Sequence, residues 1–188
     1  MKRAFAAALA LAAAQVSAQG LYICTNEKGN KSYQDEPCTT KMPSPALAPV
    51  KADALNDRVV RETMKRYEEA MSTRDPIAVA RLLSPSLKVD LKMIDGSKSG
   101  KYDYVKFTDT VRLVLNAYPS YRVKHKCKAG KAPSATVAVL DCVTEEEIKI
   151  QGKFMWGQAN ETFHFVVENG EVKIRELISV QLTEAQQR

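Results

Sequence analysis

The chain of 188 residues contains 28 Lys and Arg against 22 Asp and Glu, which gives a formal net charge of +6. A protein that binds nucleic acid neutralises many phosphates with clustered basic residues, so this small and dispersed excess argues against a nucleic-acid partner. After residue 18 the sequence has no run of about 18 apolar residues, so we expect no integral membrane segment in that part.

Residues 1–18 have the pattern of a secretory signal peptide. Lys2 and Arg3 precede an apolar run over residues 4–14, and small residues lead up to Ala18. A charged start, a short apolar run and a small-residue cleavage site are typical of such signals. We therefore expect this segment to be removed and the remaining chain to be exported and soluble.

All four cysteines, Cys24, Cys38, Cys127 and Cys142, follow this segment. An even number of cysteines in an exported chain favours disulfides over free thiols. Zinc is the alternative, but no pair has the close spacing of a zinc knuckle, and only 2 His could contribute. We therefore expect disulfides, no metal site and no cofactor.

Residues 19–40 are predicted to form a small hairpin unit. Strand-like runs at 22–24 and 31–34 flank turn residues that include Gly29. Because an isolated hairpin is marginal in water, a disulfide between Cys24 and Cys38 would be needed to stabilise it, by on the order of 3 kcal/mol.

The rest of the chain divides into a linker and a larger domain. Residues 41–52 contain three prolines and no periodic pattern, which is typical of an extended Pro-rich linker. Residues 53–188 have the normal size of one domain and are the only part long enough to bury a sizeable core.

Helical and strand patterns alternate through residues 53–188. Apolar residues at helical spacing predict a long amphipathic helix over 53–72, and Asp75 followed by Pro76 begins a shorter one. Residues 87–94 alternate as a strand, a third helical stripe covers 104–118, and the chain from there to Gln181 alternates as strands. This order predicts an α+β fold.

Three features of this domain resemble the nuclear transport factor 2-like superfamily, which includes the SnoaL-like and ketosteroid isomerase families: Arg66-Tyr67, the turn at Asp75 and the strand after it. The resemblance covers about residues 54–183. It implies a cone-shaped, bent antiparallel sheet packed on three helices, with a pocket at the open end. The superfamily contains enzymes, ligand binders and assembly domains, so the fold alone does not choose among them.

The hairpin unit resembles a different family. The pattern Tyr22-x-Cys24, followed by Gly29, Tyr33 and Pro37-Cys38, is similar to the bacterial envelope family known as domain of unknown function 4124, over residues 21–38. This resemblance implies a location rather than an activity. Together with the signal peptide it predicts a periplasmic protein.

Residues 121–128 alternate between two kinds of side chain: Tyr121, Val123, His125 and Cys127 share one face, and four basic residues share the other. If Cys127 pairs with Cys142 across antiparallel strands, the two residue numbers of every facing pair add up to the same total, so this one bond fixes the register of both strands. The turn then falls at 134–135, and the basic stripe is neutralised by pairs that contribute a few tenths of a kcal/mol each. In this register Arg122 faces Glu147, Lys124 faces Glu145, Lys128 faces Asp141, and Lys126 faces Val143 and has no partner.

The resemblance to the steroid isomerases implies three catalytic groups, namely a Tyr on the first helix, a strand Asp as base and a second acid. Tyr67 matches the Tyr. The base position falls on Leu91 and the second acid on Thr162, so two of the three groups are missing. Asp90 precedes the expected base position by one residue, so its side chain would lie on the opposite face of the strand.

The alternation of side chains along two predicted strands places two further polar residues on the inward face. Glu176 lies among the apolar residues of the last strand, and His125 shares its face with Tyr121 and Val123. One hypothesis is a pocket with acid–base capacity. The other, which we favour, is a bulge that puts Glu176 at a rim, because strand parity often breaks in bent sheets. The pocket candidates are Tyr67, Leu91, His125, Trp156, Thr162 and Glu176.

The missing acid and base groups favour a non-catalytic function. We expect an exported module of the cell envelope that binds a small apolar ligand or a protein. A homodimer through the sheet face and an envelope protein partner are further expectations. The alternative is a small cofactor-free isomerase or lyase that acts in the pocket of the cone.

Overall fold

The structure, a computed structural model, describes residues 22–25, 31–34, 48–94, 99–118, 120–150, 152–183 and 186–187. Strands β1 (Tyr22–Thr25) and β2 (Lys31–Gln34) pair antiparallel, as predicted for the hairpin, in a sheet of their own. The predicted signal peptide, Cys38 and most of the predicted linker lie outside the described residues. The pairing of Cys24 with Cys38 therefore stays a prediction.

Each of the three helices in the described residues begins after a residue whose side chain caps it. Helix α1 (Asp57–Ser72) follows Asn56, whose Oδ1 accepts the N–H of Val59 at 3.0 Å. Helices α2 (Pro76–Leu82) and α3 (Tyr104–Ala117) follow Asp75 and Asp103, which accept backbone N–H groups at 2.9 Å. These caps satisfy first-turn N–H groups that lack a helical partner. None of these helices has the length and the apolar run that a membrane crossing requires.

The main sheet contains eight of the described strands: β3 (Leu83–Lys92), β4 (Gly100–Asp103), β5 (Tyr121–Cys127), β6 (Lys131–Ser134), β7 (Val137–Ile150), β8 (Lys153–Glu168), β9 (Glu171–Gln181) and β10 (Gln186–Gln187). The strand order is β4-β3-β9-β8-β7-β5, with β6 also beside β7 and β10 also beside β8. The long β7 and β8 form the centre of this sheet together with β9, so they position most of the residues discussed below.

The sheet is mixed, which corrects the expectation that it is antiparallel. A turn at Asn169 and Gly170, whose φ angles of 53° and 74° are left-handed, joins β8 to β9 as an antiparallel hairpin. The other edge of β9 receives β3 in parallel orientation, with Leu91 beside Ser179. What is confirmed is an α+β fold with three helices against an open sheet.

The helices cover one face of the main sheet, here named the helix-covered face, and the opposite face is named the open face. Fully buried side chains from all three helices, such as Val60, Val79 and Leu115, meet the apolar residues of the helix-covered face. Those strand residues are Leu87, Val89, Tyr121, Val123, Leu140, Ile148, Phe163, Phe165, Ile174 and Leu177. Burial of this continuous apolar surface is the main stabilising contribution to the fold.

The end of the predicted linker is held against the sheet. Lys51 forms an isolated antiparallel bridge with Glu171, and the N–H of Val172 donates to the carbonyl of Val50 at 2.8 Å. Val50 and Ala52 are half-buried against the core. Residues 50–52 of the predicted linker are therefore packed against the larger domain.

The register predicted for β5 and β7 is confirmed. Cys127 and Cys142 are bonded and face each other, and the pairing continues without a shift to Tyr121 opposite Ile148. The turn that follows lies at 135–136, one residue later than predicted, because the β6–β7 pairing contains a register shift.

The basic stripe is only partly neutralised, and one of its two ion pairs differs from the prediction. Arg122 Nη1 lies 3.9 Å from Glu147 Oε1 as expected. Lys126 reaches diagonally to Glu145, with Nζ 2.6 Å from Oε1. Among the described residues, Lys124 and Lys128 of the stripe have no ion-pair partner, whereas Lys126, for which none was predicted, has one.

A bulge in the β8–β9 pair decides the positions of two predicted pocket residues. The register shifts between His164 and Phe165, so that Glu176 lies opposite His164, with 3.7 Å between Oε2 and Nε2. Thr162 lies on the same open face and donates to Asp141 Oδ1 at 2.9 Å. The inward positions suggested for Thr162 and Glu176 are thus corrected, and Glu176 takes the place that the bulge hypothesis gave it.

Candidate functional site

Six ionisable residues come together on the helix-covered face near the β5 edge. Helix α1 contributes Tyr67 and Glu68, β5 contributes Tyr121 and His125, β7 contributes Glu146, and β8 contributes Glu161. Polar and charged groups are costly on an apolar face unless they are paired. A cluster of such groups is therefore a candidate functional site, and its pairings decide what it can do.

His125 lies between two carboxylates. Its Nδ1 is 2.9 Å from Glu68 Oε1, its Nε2 is 3.3 Å from Glu161 Oε2, and its side chain is 1% exposed. The backbone N–H of His125 also donates to Glu68 Oε1. With a carboxylate at each ring nitrogen, the imidazolium form donates in both directions. His125 in this state has no lone pair with which to accept a proton.

Glu68, His125 and Glu161 form a trio in which the charge of each residue stabilises the charged form of its neighbour. Burial disfavours the imidazolium, but the contacts with Glu161 and Glu68 outweigh it and raise the pKa of His125 to about 9. Burial also disfavours the Glu161 carboxylate, yet His125 and the hydroxyls of Thr144 and Ser179 hold its pKa below the ordinary value. The pKa of Glu68 is lowered by His125 against the same opposing effect of burial. At neutral pH the trio is therefore one imidazolium with two carboxylates.

Glu146 lacks the direct cation contact that Glu68 and Glu161 have. Its Oε1 accepts the hydroxyl of Tyr121 at 2.6 Å. Burial raises the pKa of Glu146; the Tyr121 hydrogen bond opposes this rise, and the negative charge of Glu161 adds to it. Because the pKa values of Glu68 and Glu161 are lowered, Glu146 is the carboxyl of the three that most readily holds a proton.

A cavity of about 560 Å³ opens at the β5 edge beside Tyr121 and Glu146, and we name it the edge cavity. Its volume lies within the range of ligand pockets, about 300–1,000 Å³. Of the six clustered residues, Tyr121 and Glu146 line the edge cavity and the other four do not. Its further charged and aromatic lining residues are Arg74, Arg122, Lys124, Glu145, Glu147 and Trp156.

Tyr67 packs against the trio from the side of α1. It is 5% exposed, and its ring centroid lies 5.9 Å from that of His125 and 6.0 Å from that of Phe163. Burial, followed by the negative charges of Glu161 and Glu146, raises its pKa far above the ordinary value. Tyr67 therefore stays a neutral phenol whose packing fixes the imidazole ring.

The predicted pocket residues are divided between the two faces. Tyr67, Leu91 and His125 lie on the helix-covered face, where Leu91 is half-buried beside Ser179. Trp156 lies opposite Glu147 and lines the edge cavity. The structure thus brings Tyr67 and His125 together and separates them from Thr162 and Glu176.

Sequence reasoning missed Glu68, Glu146 and Glu161. Glu146 follows from the disulfide register, which places it opposite Val123. Glu161 follows from the same rule applied to a hairpin turn at Gly152, which places it opposite Cys142. Glu68 gives no comparable signal, because an acidic residue on an amphipathic helix ordinarily faces solvent.

The cluster is not arranged as a metal centre. In the described parts of the chain, no group of three or more His, Cys, Asp or Glu side chains is placed so as to hold a metal ion. The imidazole ring lies between Glu68 and Glu161, so its nitrogens point at the two carboxylates and do not converge with them on one point.

Solved structures that share this fold differ in function. A protein described as an aromatic ring hydroxylase of Novosphingobium aromaticivorans has a TM-score of 0.60 at 14% identity, over 70% of this chain and 93% of that chain. A protein described as a scytalone dehydratase of the same organism has a TM-score of 0.56 at 14% identity, over 70% and 86%. A ketosteroid isomerase-like protein of Erwinia carotovora atroseptica has a TM-score of 0.54 at 15% identity, over 68% and 96%. These similarities show the fold alone.

At the sequence level, the model of the family described as "Domain of unknown function (DUF4124)" matches residues 8–62. This match extends the resemblance found for residues 21–38 in both directions and reaches the first turns of α1. No curated protein matches this chain in sequence.

Proposed function

We propose that the chain binds small molecules in the edge cavity and transfers protons there as a cofactor-independent isomerase or lyase, with Glu146 as the proton-transferring residue. The observation that carries this proposal is the position of Glu146, a residue that lines the edge cavity and whose Oε1 accepts the Tyr121 hydroxyl at 2.6 Å. Burial and the charge of Glu161 raise its pKa. A carboxyl whose pKa is raised is the stronger base once ionised and exchanges its proton closer to neutral pH.

The sequence favoured a non-catalytic module because the positions of Leu91 and Thr162 hold no acid or base. The three glutamates of the helix-covered face remove that objection, since they supply acid–base groups at other positions. Proteins with the same fold that are described as a dehydratase and as isomerase-like indicate that the fold accommodates this chemistry. They do not carry the proposal, which depends on Glu146.

Both reactions need only a single proton-transferring carboxyl. In the isomerase reaction Glu146 takes a proton from the carbon beside a carbonyl group and returns it to a carbon two positions farther along. In the lyase reaction the proton that Glu146 takes leaves with the β-hydroxyl group as water, and the carboxylate is regenerated. Proton transfer by a positioned side chain contributes about 10² to 10⁴-fold in rate.

His125 has a positioning role in this proposal. Both of its ring nitrogens face carboxylates, so it is not available as a base. It neutralises one of the two negative charges of Glu68 and Glu161, and it holds Glu161 in the ionised form that keeps the proton affinity of Glu146 high.

The proposed location is the bacterial periplasm. The signal-peptide pattern of residues 1–18 supports export, and the Cys127–Cys142 disulfide fits an oxidising compartment. Cell fractionation after thiol alkylation tests this, because a cytoplasmic protein would retain alkylatable thiols. A homodimer through the open face and an envelope protein partner stay predictions, for which sedimentation of the purified chain is the test.

The test of function uses the full chain with two kinds of neutral substrate. One is a β,γ-unsaturated cyclic ketone, whose conjugated isomer absorbs in the ultraviolet; the other is a β-hydroxy ketone, whose dehydration gives an enone. We expect Glu146→Gln to lower turnover about 10² to 10⁴-fold, whereas Glu171→Gln, on β9 outside the edge cavity, leaves it unchanged. Equal turnover by wild type and Glu146→Gln, or none by wild type, would overturn the proposal in favour of a non-catalytic binding module.

A further inference from the structure

Each carboxyl group that lines the edge cavity has an ion-pair or hydrogen-bond partner. Glu145 Oε1 lies 2.6 Å from Lys126 Nζ, and Glu147 Oε1 lies 3.9 Å from Arg122 Nη1. Glu146 accepts a hydrogen bond from the Tyr121 hydroxyl. The surplus negative charge of the buried trio belongs to Glu68 and Glu161, neither of which lines this cavity.

Two lining cations remain without a carboxylate. Among the described residues, neither Arg74 nor Lys124 has a carboxylate within the 4.0 Å of an ion pair. Lys124 faces Glu145 across the strands, but that carboxylate contacts Lys126. Arg74 Nε donates to the backbone carbonyl of Leu115 at 2.7 Å, which fixes the guanidinium without neutralising it. The edge cavity is therefore lined by two cations that form no ion pair with a described carboxylate, and the charge of Lys124 acts on Glu68 and Glu145 only from beyond ion-pair distance.

Trp156 also lines the edge cavity and contributes a flat apolar side chain. An indole ring packs well against another planar ring and against apolar surface in general. Positive charge and an aromatic wall within one cavity of about 560 Å³ suit a ligand that has a negative end and a flat body.

We propose that the edge cavity binds small aromatic carboxylates, whose carboxylate group is held by Lys124 and Arg74 and whose ring lies against Trp156. This ligand class is also a substrate class for the function proposed above. The ligand proposal rests on that function only because both use the edge cavity. A guanidinium and an ammonium are the groups that recognise a carboxylate through charge-assisted hydrogen bonds.

The chain offers a direct reporter for this binding, because Trp156 is its only tryptophan. The full chain is titrated with benzoate, and the change in tryptophan fluorescence is followed. Benzamide is the matched neutral probe, since it has the same shape without the charge. We expect benzoate to bind at least about 10-fold more tightly than benzamide at low salt, and to lose this advantage as salt screens the charges.

Three variants test whether the positive charge at position 124, and not a general change in structure, governs benzoate binding. Lys124→Met should weaken benzoate binding about 2- to 5-fold and leave benzamide unchanged, because an exposed ion pair contributes up to roughly a fivefold change. Lys124→Arg should retain binding. Lys128→Met is the control, since it removes the same charge just after β5, outside the edge cavity.

Equal affinity for benzoate and benzamide, an unchanged affinity in Lys124→Met, or no response to either probe would each overturn the inference. These outcomes are distinct from a failure of the proposed function. That proposal is tested with neutral substrates and with Glu146→Gln, and Glu146→Gln should still bind benzoate because Lys124 and Arg74, which are proposed to hold the carboxylate, are unchanged.

Discussion

A single oxygen atom of Glu68 on helix α1, Oε1, accepts hydrogen bonds from both the backbone N–H and the ring Nδ1 of His125 on strand β5. The backbone N–H belongs to the edge of β5 that pairs with no other strand among the described residues. Two other residues of α1 reach the loop after that strand: Asp57 Oδ1 accepts the N–H of Gly130 at 2.7 Å, and Arg61 Nη2 donates to the carbonyl of Lys128 at 2.8 Å. Helix α1 therefore covers an edge that would otherwise be open to pairing with another chain.

Glu68→Gln should destabilise the fold. The variant keeps an acceptor oxygen but loses the charge that pairs with the buried imidazolium, so we expect the free energy of unfolding to fall by about 1–3 kcal/mol. Urea denaturation measures this change. Glu62→Gln is the matched control on the same helix, where Glu62 forms an exposed pair with Arg66, and it should cost less than about 0.5 kcal/mol. Equal losses in the two variants would show that the Glu68–His125 contact adds nothing beyond an ordinary helix pair.

The stability of the fold should decrease at alkaline pH. The pKa of His125 is raised from 6.5 to about 9 by its contacts with Glu161 and Glu68. A group whose pKa is higher in the folded state stabilises that state fully below its unfolded pKa, and this contribution is lost as the pH rises through the folded pKa. The shift corresponds to at most about 3 kcal/mol.

Urea denaturation at a series of pH values between about 6 and 9.5 tests this expectation. The free energy of unfolding should fall over this range in the wild type, and His125→Gln should be less stable at the lower pH and show little further loss. On the acid side the sign is opposite, because the pKa values of Glu68 and Glu161 are lowered, so their contribution disappears as the pH falls. A wild-type stability that is constant up to pH 9.5 would contradict the charged state assigned to His125.

Removal of the Cys127–Cys142 disulfide should cost about 2–4 kcal/mol, because the bond closes a loop with a sequence separation of 15. The double variant Cys127→Ala with Cys142→Ala avoids a reactive free thiol. Comparison of its unfolding with that of the wild type, each with and without reductant, gives the measurement. If reductant destabilises the variant as much as the wild type, the effect does not come from this bond.

The disulfide is also what made the sheet predictable from the sequence. One assumed bond fixed the register of β5 on β7, and with it the inward position of His125. The helix starts followed from capping residues such as Asp75. The faces of β8 and β9 were not predictable in the same way, since the bulge near Phe165 changes the parity and moves Glu176 to the open face. The partners of His125 come from three separate elements, and no local pattern in the sequence records that they meet.

Two substitutions should move the pKa of Glu146 in opposite directions. Tyr121 donates to the Glu146 carboxyl and so favours its ionised form, whereas the negative charge of Glu161 disfavours it. Tyr121→Phe removes the donor and should raise the pKa of Glu146 further. Glu161→Gln removes the charge and should lower it, even though His125 then keeps only Glu68 as a carboxylate partner.

The measurement is the titration of the Glu146 carboxyl carbon by NMR in protein labelled with carbon-13 glutamate, with the resonance assigned by its loss in Glu146→Gln. This readout does not depend on turnover, so it is informative whether or not a substrate is known. Thr162→Val, on the open face, serves as the control and should leave the titration unchanged. Shifts in the same direction for Tyr121→Phe and Glu161→Gln would mean that general loosening of the fold, and not the two opposing contacts, sets the proton affinity of Glu146. Opposite shifts would show that the Tyr121 hydroxyl and the Glu161 charge act on Glu146 in opposite directions, and the acidic limb of any pH–rate profile should then move with the pKa of Glu146 in each variant.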